Sequence, residues 1–232
     1  MDILKLYQKT KEGLTQVLAP SFCFNCQKLL RDQYLCSDCL LETNFSLDLC
    51  CPFCDRRKPF IANPAKICCH NFLSSLIYFG QYENKPINQL IKTAKYQGYF
   101  TIFDWLGGLM AGKLKQLKFS PDYKLVPIPL HPKRFKERGF NQTEVIANQI
   151  SSSTGLEVKN SLIRITNNQS QASLTGKDRE QNVKGIFKTI EPTPKKIILI
   201  DDIWTTGATL IEASETLKAN NAKIIIGLTI LK

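Results

Sequence analysis

The sequence predicts an α/β protein with a mostly parallel sheet flanked by helices, preceded by a small metal-binding region. Three observations support this prediction. From residue 73 onward, segments with the pattern of buried strands alternate with helical segments. An apolar run ending at Ile200 leads into two acids, a turn of small residues and the start of a helix. All nine cysteines lie between Cys23 and Cys69.

The composition is that of a globular chain with an uneven positive charge. The chain has 232 residues, enough for one large domain or for a small and a medium one. Residues 1–70 carry nine basic and seven acidic residues, whereas residues 71–232 carry 22 and 13. A solvated basic surface would explain this charge. The alternative is a polyanionic partner, namely a phosphorylated metabolite, pyrophosphate or nucleic acid.

The first residues predict neither a secretory signal nor a membrane anchor. Lys5, Lys9 and Lys11 interrupt any apolar stretch there. Elsewhere no apolar run approaches the ~18 residues that a membrane helix needs. Apolar residues from Ile3 to Leu18 recur at helical spacing, which predicts an amphipathic helix over residues 1–20 that packs on its own protein. The alternative is that this helix contacts a membrane surface. We expect the protein to be cytoplasmic.

The cysteines are spaced as ligands of structural zinc. Two thiolates separated by two residues can face one tetrahedral ion, and a second pair completes its shell. We therefore predict one zinc bound by Cys23, Cys26, Cys36 and Cys39. A second zinc is predicted at Cys51, Cys54 and two of Cys68, Cys69 and His70, with Cys50 as an additional candidate ligand. A disulfide framework is the alternative, and a reducing compartment disfavours it.

The first elements after the cysteines show the patterns of core packing. Residues 75–82 are β-branched and aromatic and predict a strand. Residues 85–97 and 100–117 have apolar side chains at helical spacing and predict two helices without an evident site. A further strand is predicted over residues 125–129, where prolines end it.

The segment after this strand is a candidate anion-binding loop. Four cations lie within residues 133–138, before a helix predicted from Asn141 to Ser152. Fixed positive charge at the carboxyl end of a strand suits a multiply charged anion such as pyrophosphate. The candidate residues are Lys133, Arg134 and Arg138. We assign no role to His131.

Residues 164–187 are polar and long for a connection. Such segments are either mobile lids or disordered linkers. The position between two predicted phosphate sites favours a lid.

The last part of the chain carries the most informative pattern. Ile197–Ile200 predicts a buried strand, and Asp201 and Asp202 follow it directly. Carboxylates at this position suit the hydroxyls of a sugar or a magnesium ion. The next residues form a turn that offers N–H groups and hydroxyls to a phosphate at the positive end of a helix dipole. These residues are Thr205, Thr206, Gly207, Ala208 and Thr209. After this helix, residues 223–231 predict a final strand.

The sequence ILIDDIWTTGATL, Ile198 to Leu210, resembles the phosphoribosyl pyrophosphate (PRPP) signature of type I phosphoribosyltransferases. The resemblance implies that Asp201 and Asp202 bind the ribose hydroxyls and that Thr205 to Thr209 enclose the 5′-phosphate. It also implies Mg²⁺ together with PRPP. The basic loop then corresponds to the pyrophosphate loop. Residues 164–187 correspond to a flexible flap that includes Gln169, Arg179 and Asn182.

The whole layout resembles the ComF family more closely. Cysteine pairs, the P-x-P strand, Arg138–Gln142 (RGFNQ) and the DDxxTTGAT motif occur in that order. The resemblance implies a double zinc ribbon over residues 21–72 and a phosphoribosyltransferase-like domain over 73–232. It also implies a role in natural competence, in which single-stranded DNA is handled beside a helicase-like partner.

The resemblance leaves the reaction open. A protein that binds PRPP during DNA uptake is the first hypothesis. A nucleotide-salvage phosphoribosyltransferase acting on an unidentified base is the second, although no base-binding segment is recognisable. A non-catalytic zinc-ribbon adaptor for single-stranded DNA is the third. Nothing in the sequence identifies an acceptor.

Overall fold

A computed structural model of the chain describes residues 22–30, 33–45, 47–57, 68–69, 72–166, 184–190 and 192–232. The helix predicted over residues 1–20 lies outside the described residues. So do His70 and three residues of the predicted flap, namely Gln169, Arg179 and Asn182.

The centre of the molecule is a five-stranded sheet in the order β1-β2-β7-β6-β3. Neighbouring strands are parallel, except that β1 is antiparallel to β2. This confirms the predicted mostly parallel α/β architecture. Two short strands, β4 and β5, form a separate antiparallel pair. The strands are β1 Asp48–Cys50, β2 Ser75–Gly80, β3 Tyr123–Pro127, β4 Leu162–Arg164, β5 Phe187–Thr189, β6 Lys196–Ile200 and β7 Ile224–Leu231.

Helices cover the sheet on both faces, as parallel strands require. They are α1 Ser37–Glu42, α2 Lys85–Gln97, α3 Phe100–Leu114, α4 Pro132–Arg138, α5 Gln142–Thr154 and α6 Ala208–Ala219, with a 3₁₀ turn at Lys115–Leu117 after α3. The helix predicted over residues 100–117 thus ends in a tighter turn. The strand predicted over residues 125–129 begins and ends two residues earlier.

The core has two halves because alternate residues of each strand face opposite ways. Ile198 and Ile200 of β6 belong to the half that includes α2, α3 and α5. Ile197 and Leu199 belong to the other half, with α6. Both sides of β6 are therefore buried, which explains why its sequence is an uninterrupted apolar run.

The cysteine-rich region is continuous with this core. Three of its thiols, those of Cys23, Cys36 and Cys39, are buried in the half of the core that contains α2 and α3. Strand β1 pairs through Leu49 with Ile77 of β2, so this region also extends the sheet.

Strands β3 and β6 determine where the site forms. They are neighbours in the sheet, and Pro127 at the end of β3 pairs with Ile200 at the end of β6. The basic segment that follows β3 and the acidic turn that follows β6 therefore leave the same edge of the sheet side by side. Ligand sites of open α/β sheets form at this edge, between the loops of neighbouring strands.

Candidate sugar-phosphate site and cysteine clusters

A cleft of about 300 Å³ lies over the carboxyl ends of β3 and β6. Four parts of the chain line it: helix α2 with the turn before it, the segment from β3 to α5, the end of β4, and the turn from β6 into α6. Its charged lining residues are Lys92, Lys95, Arg134, Arg138, Arg164, Asp201 and Asp202. Five cations thus surround two carboxylates, which suits a ligand that carries both hydroxyls and several negative charges.

The acid pair is held rigidly at the floor of the cleft. The N–H of Asp201 donates to the carbonyl of Leu228 at 3.0 Å, and the carbonyl of Asp202 accepts from Ile230 at 3.0 Å. The Asp201 carboxylate accepts from the N–H of Asp202 at 2.8 Å. Enclosure by the protein, together with the neighbouring charge of Asp202, raises the pKa of Asp201 to about 8.

The small-residue turn presents the amino end of α6 to the same cleft. Gly207 precedes the helix with a φ of 77°, and no side chain caps the helix. The N–H of Ala208 has only a long bond of 3.4 Å to the Thr206 hydroxyl. The free N–H groups of a first helical turn attract anions because of their partial positive charge. All five residues predicted to bind a phosphate line the cleft.

The basic segment is a short helix, α4, and not the open loop that the sequence predicted. Pro132 begins it, the Nδ1 atom of His131 accepts from the N–H of Lys133 at 3.2 Å, and Gly139 ends it with a φ of 82°. His131, to which we assigned no role from the sequence, is therefore the cap of this helix.

The helical geometry separates the three predicted anion-binding residues. Arg134 and Arg138 are one turn apart and both line the cleft, whereas Lys133 is exposed and is not among the lining residues. Arg138 also donates to the Oε1 atom of Gln142 at 2.6 Å, which fixes the guanidinium at the start of α5. Burial lowers the pKa of Arg138, and the nearby charge of Asp202 opposes this shift.

Three further charged residues line the cleft and were not named as site residues from the sequence, namely Lys92, Lys95 and Arg164, the first residue of the predicted flap. Lys95, on α2, forms an ion pair with Asp202. Arg164, at the end of β4, lies over the ring of Phe187 and faces the charges of Arg134 and Asp201. A lysine in the last turn of an amphipathic helix is ordinary because it suits the helix dipole, so Lys95 gave no signal.

The first cysteine cluster brings together the four predicted ligands. The sulfur atoms of Cys23, Cys26, Cys36 and Cys39 lie within 4.8 Å of one another, and those of Cys26 and Cys36 are 3.7 Å apart. A tetrahedral zinc with Zn–S bonds of about 2.3 Å would separate its sulfurs by about 3.8 Å. The N–H of Cys36 donates to the sulfur of Cys23 at 3.4 Å. Burial opposes ionisation, but N–H donors from Cys26 and Cys36 lower the pKa of Cys23 to about 6.

The second cluster consists of Cys51, Cys54, Cys68 and Cys69, again within 4.8 Å. The sulfurs of Cys54 and Cys68 are 3.6 Å apart. Cys50 does not belong to this cluster, and burial raises its thiol pKa to about 11. The two cysteine clusters could each hold a metal ion such as zinc, and four thiolates per ion leave no position for a catalytic water.

Comparison with known proteins defines the class to which the chain belongs. A profile of the phosphoribosyl transferase domain matches residues 138–232, which include Arg138, the acid pair and the small-residue turn. Together with the parallel sheet and its cleft, this match makes the chain a phosphoribosyltransferase-like protein with an added cysteine-rich region.

Three individual relatives indicate which phosphoribosyltransferase-like proteins the chain resembles. Competence protein F of Haemophilus influenzae is 27% identical over 215 residues, 89% of this chain and 88% of that protein. Competence protein ComFC of Streptococcus pneumoniae is 30% identical over 140 residues, 60% of each chain. DNA utilization protein YhgH of Salmonella typhimurium is 24% identical over 217 residues, 89% of this chain and 94% of that protein. These similarities support the resemblance of the chain to the ComF family.

The described helices can also be compared with the length and apolar character of membrane-spanning helices. Within the part of the chain that the structure describes, no helix combines the length and apolar character needed to cross a bilayer.

Proposed function

We propose that the cleft binds PRPP together with Mg²⁺. The observation that supports this most directly is the meeting of three chemically distinct groups at two neighbouring strand ends. The acid pair offers acceptors to the ribose hydroxyls, and the uncapped start of α6 offers donors to the 5′-phosphate. Arg134 and Arg138, which line the same cleft, offer charge to the pyrophosphate.

The same residues are suited to stabilise pyrophosphate as a leaving group. Negative charge would develop on the leaving oxygen beside the guanidinium groups of α4, and Gln142 already holds that of Arg138 in place. The acid pair offers oxygen ligands of the kind that Mg²⁺ prefers, and the ion would supply further neutralisation of the pyrophosphate.

The test is a calorimetric titration with PRPP in the presence and absence of Mg²⁺. We expect binding by the natural sequence and a loss of affinity of ~10-fold or more in the double variant Asp201→Asn, Asp202→Asn. Glu215→Gln is the control because Glu215 is an exposed carboxylate on α6 and does not line the cleft. Absence of binding by the natural sequence, with or without Mg²⁺, would contradict the proposal. Release of pyrophosphate, assayed with added bases or DNA, then distinguishes catalysis from binding.

We further propose that both cysteine clusters hold zinc. The sulfur separations of 3.7 and 3.6 Å match the edge of a zinc–thiolate tetrahedron. Metal analysis of the purified protein should give two zinc ions per chain, one for each cluster. Cys26→Ser with Cys36→Ser should remove one ion, whereas Cys50→Ser should retain both. A content unchanged by the double substitution would contradict the assignment of the first cluster.

We propose that the protein handles single-stranded DNA in the cytoplasm during natural competence, beside a helicase-like partner. The names of two relatives refer to competence, and that of a third to DNA utilization. Lys133, Phe135 and Lys136 are exposed on α4, the helix whose arginines line the cleft, and such a mixture of cations and rings suits single strands.

Fluorescence anisotropy with a labelled oligonucleotide of roughly 20 nucleotides tests this placement. Affinity should fall as salt rises from about 50 to about 200 mM, because phosphate contacts release counterions. Lys133→Gln with Lys136→Gln should weaken binding at low salt. The matched control is Lys113→Gln with Lys115→Gln, at the end of α3. Equal weakening by both pairs would refute a specific role for α4.

A further inference from the structure

Lys95 is not part of the segment that matches the phosphoribosyl transferase domain, yet it lines the cleft. It lies outside residues 138–232. Its helix, α2, packs its apolar side against the core through Ile87, Leu90 and Ala94, so the position of the lysine backbone is fixed. The side chain reaches the floor of the cleft and forms an ion pair with Asp202.

The ion pair leaves part of the ammonium group available to a ligand. An ammonium has three N–H donors, and within the described residues Asp202 is the only ion-pair partner of Lys95. The Lys95 side chain remains 22% exposed, whereas that of Asp202 is 8% exposed. Both residues line the cleft, and the lysine side chain is the more accessible of the two.

The surroundings of Lys95 indicate which part of a ligand it would meet. The guanidinium of Arg138, on α4, also interacts with the charge of Asp202. Helices α2 and α4 are in contact, and Arg134, Arg138 and Lys95 line one cavity. An anionic group seated on the two arginines would thus lie beside the lysine. A lysine between a carboxylate and a phosphate takes a position that a metal ion often takes in such sites.

We propose that Lys95 is a ligand-binding residue of the cleft, which joins Asp202 to the pyrophosphate group of the bound sugar phosphate. The inference rests on the proposed binding of PRPP and extends it to a residue outside the matched domain. In the bound state one N–H of Lys95 donates to Asp202 and another to a pyrophosphate oxygen. The residue therefore discriminates between sugar phosphates with and without a pyrophosphate.

The test compares three ligands, namely PRPP, inorganic pyrophosphate and ribose 5-phosphate, by calorimetric titration. Lys95→Met keeps the length of the side chain and removes its charge. It should weaken PRPP and pyrophosphate by ~10- to 100-fold and ribose 5-phosphate by less than ~3-fold. Lys95→Arg keeps a donor and should restore part of the affinity for pyrophosphate. Lys85→Met, at the exposed start of the same helix, is the control.

The possible results distinguish a ligand-binding role of Lys95 from a role that only positions Asp202. Equal weakening of all three ligands would overturn the proposal and mean that Lys95 acts only by holding Asp202. Unchanged affinities would also overturn it. If the natural sequence binds none of the three ligands, the proposed function itself fails. A melting temperature measured for every variant shows whether Lys95→Met folds. Should it not fold, the same three-ligand comparison with Lys95→Gln decides.

Discussion

Gly207 lines the cleft at a position that has no room for a side chain. A Cβ atom added there would lie 2.2 Å from a ring carbon of Trp204, and its backbone has a φ of 77°. Trp204 is itself nearly buried, at 7% exposed, so its ring has little freedom to move away. The ring of Trp204 therefore packs directly against the backbone of the turn before α6. The geometry of the phosphate-binding turn therefore depends on the absence of a side chain.

Gly207→Ala should lower the free energy of unfolding by roughly 2–4 kcal/mol, because a backbone penalty and a steric clash are added. The matched control is Gly155→Ala. Gly155 has a φ of 76°, and no described atom lies within 4 Å of its added Cβ. Gly155→Ala should therefore lower the free energy of unfolding by only about 1–2 kcal/mol. Urea unfolding of both variants measures the difference. Equal costs would show that the contact with Trp204 does not constrain the turn.

Asp201 should make the stability of the protein depend on pH in an uncommon direction. Its pKa rises from 3.8 to about 8 on folding, so the folded state retains a proton that the unfolded state has released. Between these values stability falls as pH increases, because the folded state binds more protons.

The natural sequence should therefore lose more stability between about pH 5.5 and about pH 8.5 than the variant Asp201→Asn does. Urea unfolding at several pH values measures this difference. Glu215→Gln should keep the slope of the natural sequence. Parallel curves for the natural sequence and Asp201→Asn would show that the carboxyl does not hold its proton.

At the scale of elements, the helical form of α4 determines which of its cations face the cleft. A seven-residue helix places Arg134 and Arg138 on one side and turns Lys133 away. A disordered basic loop would have offered all of its cations to a ligand alike.

Single substitutions in α4 should therefore differ in effect. Arg134→Gln and Arg138→Gln should each weaken binding of pyrophosphate by ~10-fold or more, since each removes a charge-assisted hydrogen bond. Lys133→Gln should change affinity by less than ~3-fold, the scale of a screened surface charge. Titration of the three variants with inorganic pyrophosphate measures their affinities and ranks the three effects. A loss with Lys133→Gln as large as with Arg134→Gln would mean that the helix opens on binding.

At the scale of the whole molecule, the sequence predicted the elements with strong patterns and not the contacts between distant ones. Strand β6 was predictable because both of its sides are buried, and its acids and turn follow directly. Strand β1 has three residues and no pattern of its own, so its place in the sheet follows only from pairing with β2. Lys95 and Asp202 are far apart in sequence, and each alone has an ordinary explanation. Helix α4 could have been predicted from Pro132 and Gly139, which mark its two ends.

Removal of metal should affect the whole protein and not only the cysteine-rich region. Cys23, Cys36 and Cys39 share the core of α2 and α3, and β1 is part of the central sheet. A strong chelator should lower the melting temperature by roughly 10 °C or more, in one cooperative transition, because metal binding contributes to folding. Calorimetry with and without chelator measures this. A second, unshifted transition would indicate that the cysteine-rich region unfolds separately.

The packing of Trp204 against Gly207 also gives the molecule a built-in optical signal. The chain has two tryptophans, and the other, Trp105, packs against Tyr34 at a position that does not line the cleft. In a Trp105→Phe background, all indole emission would originate from the ring that lies under the turn. Filling of the turn by a phosphate would then change the colour or intensity of that emission, so ligand binding could be followed in real time without any label.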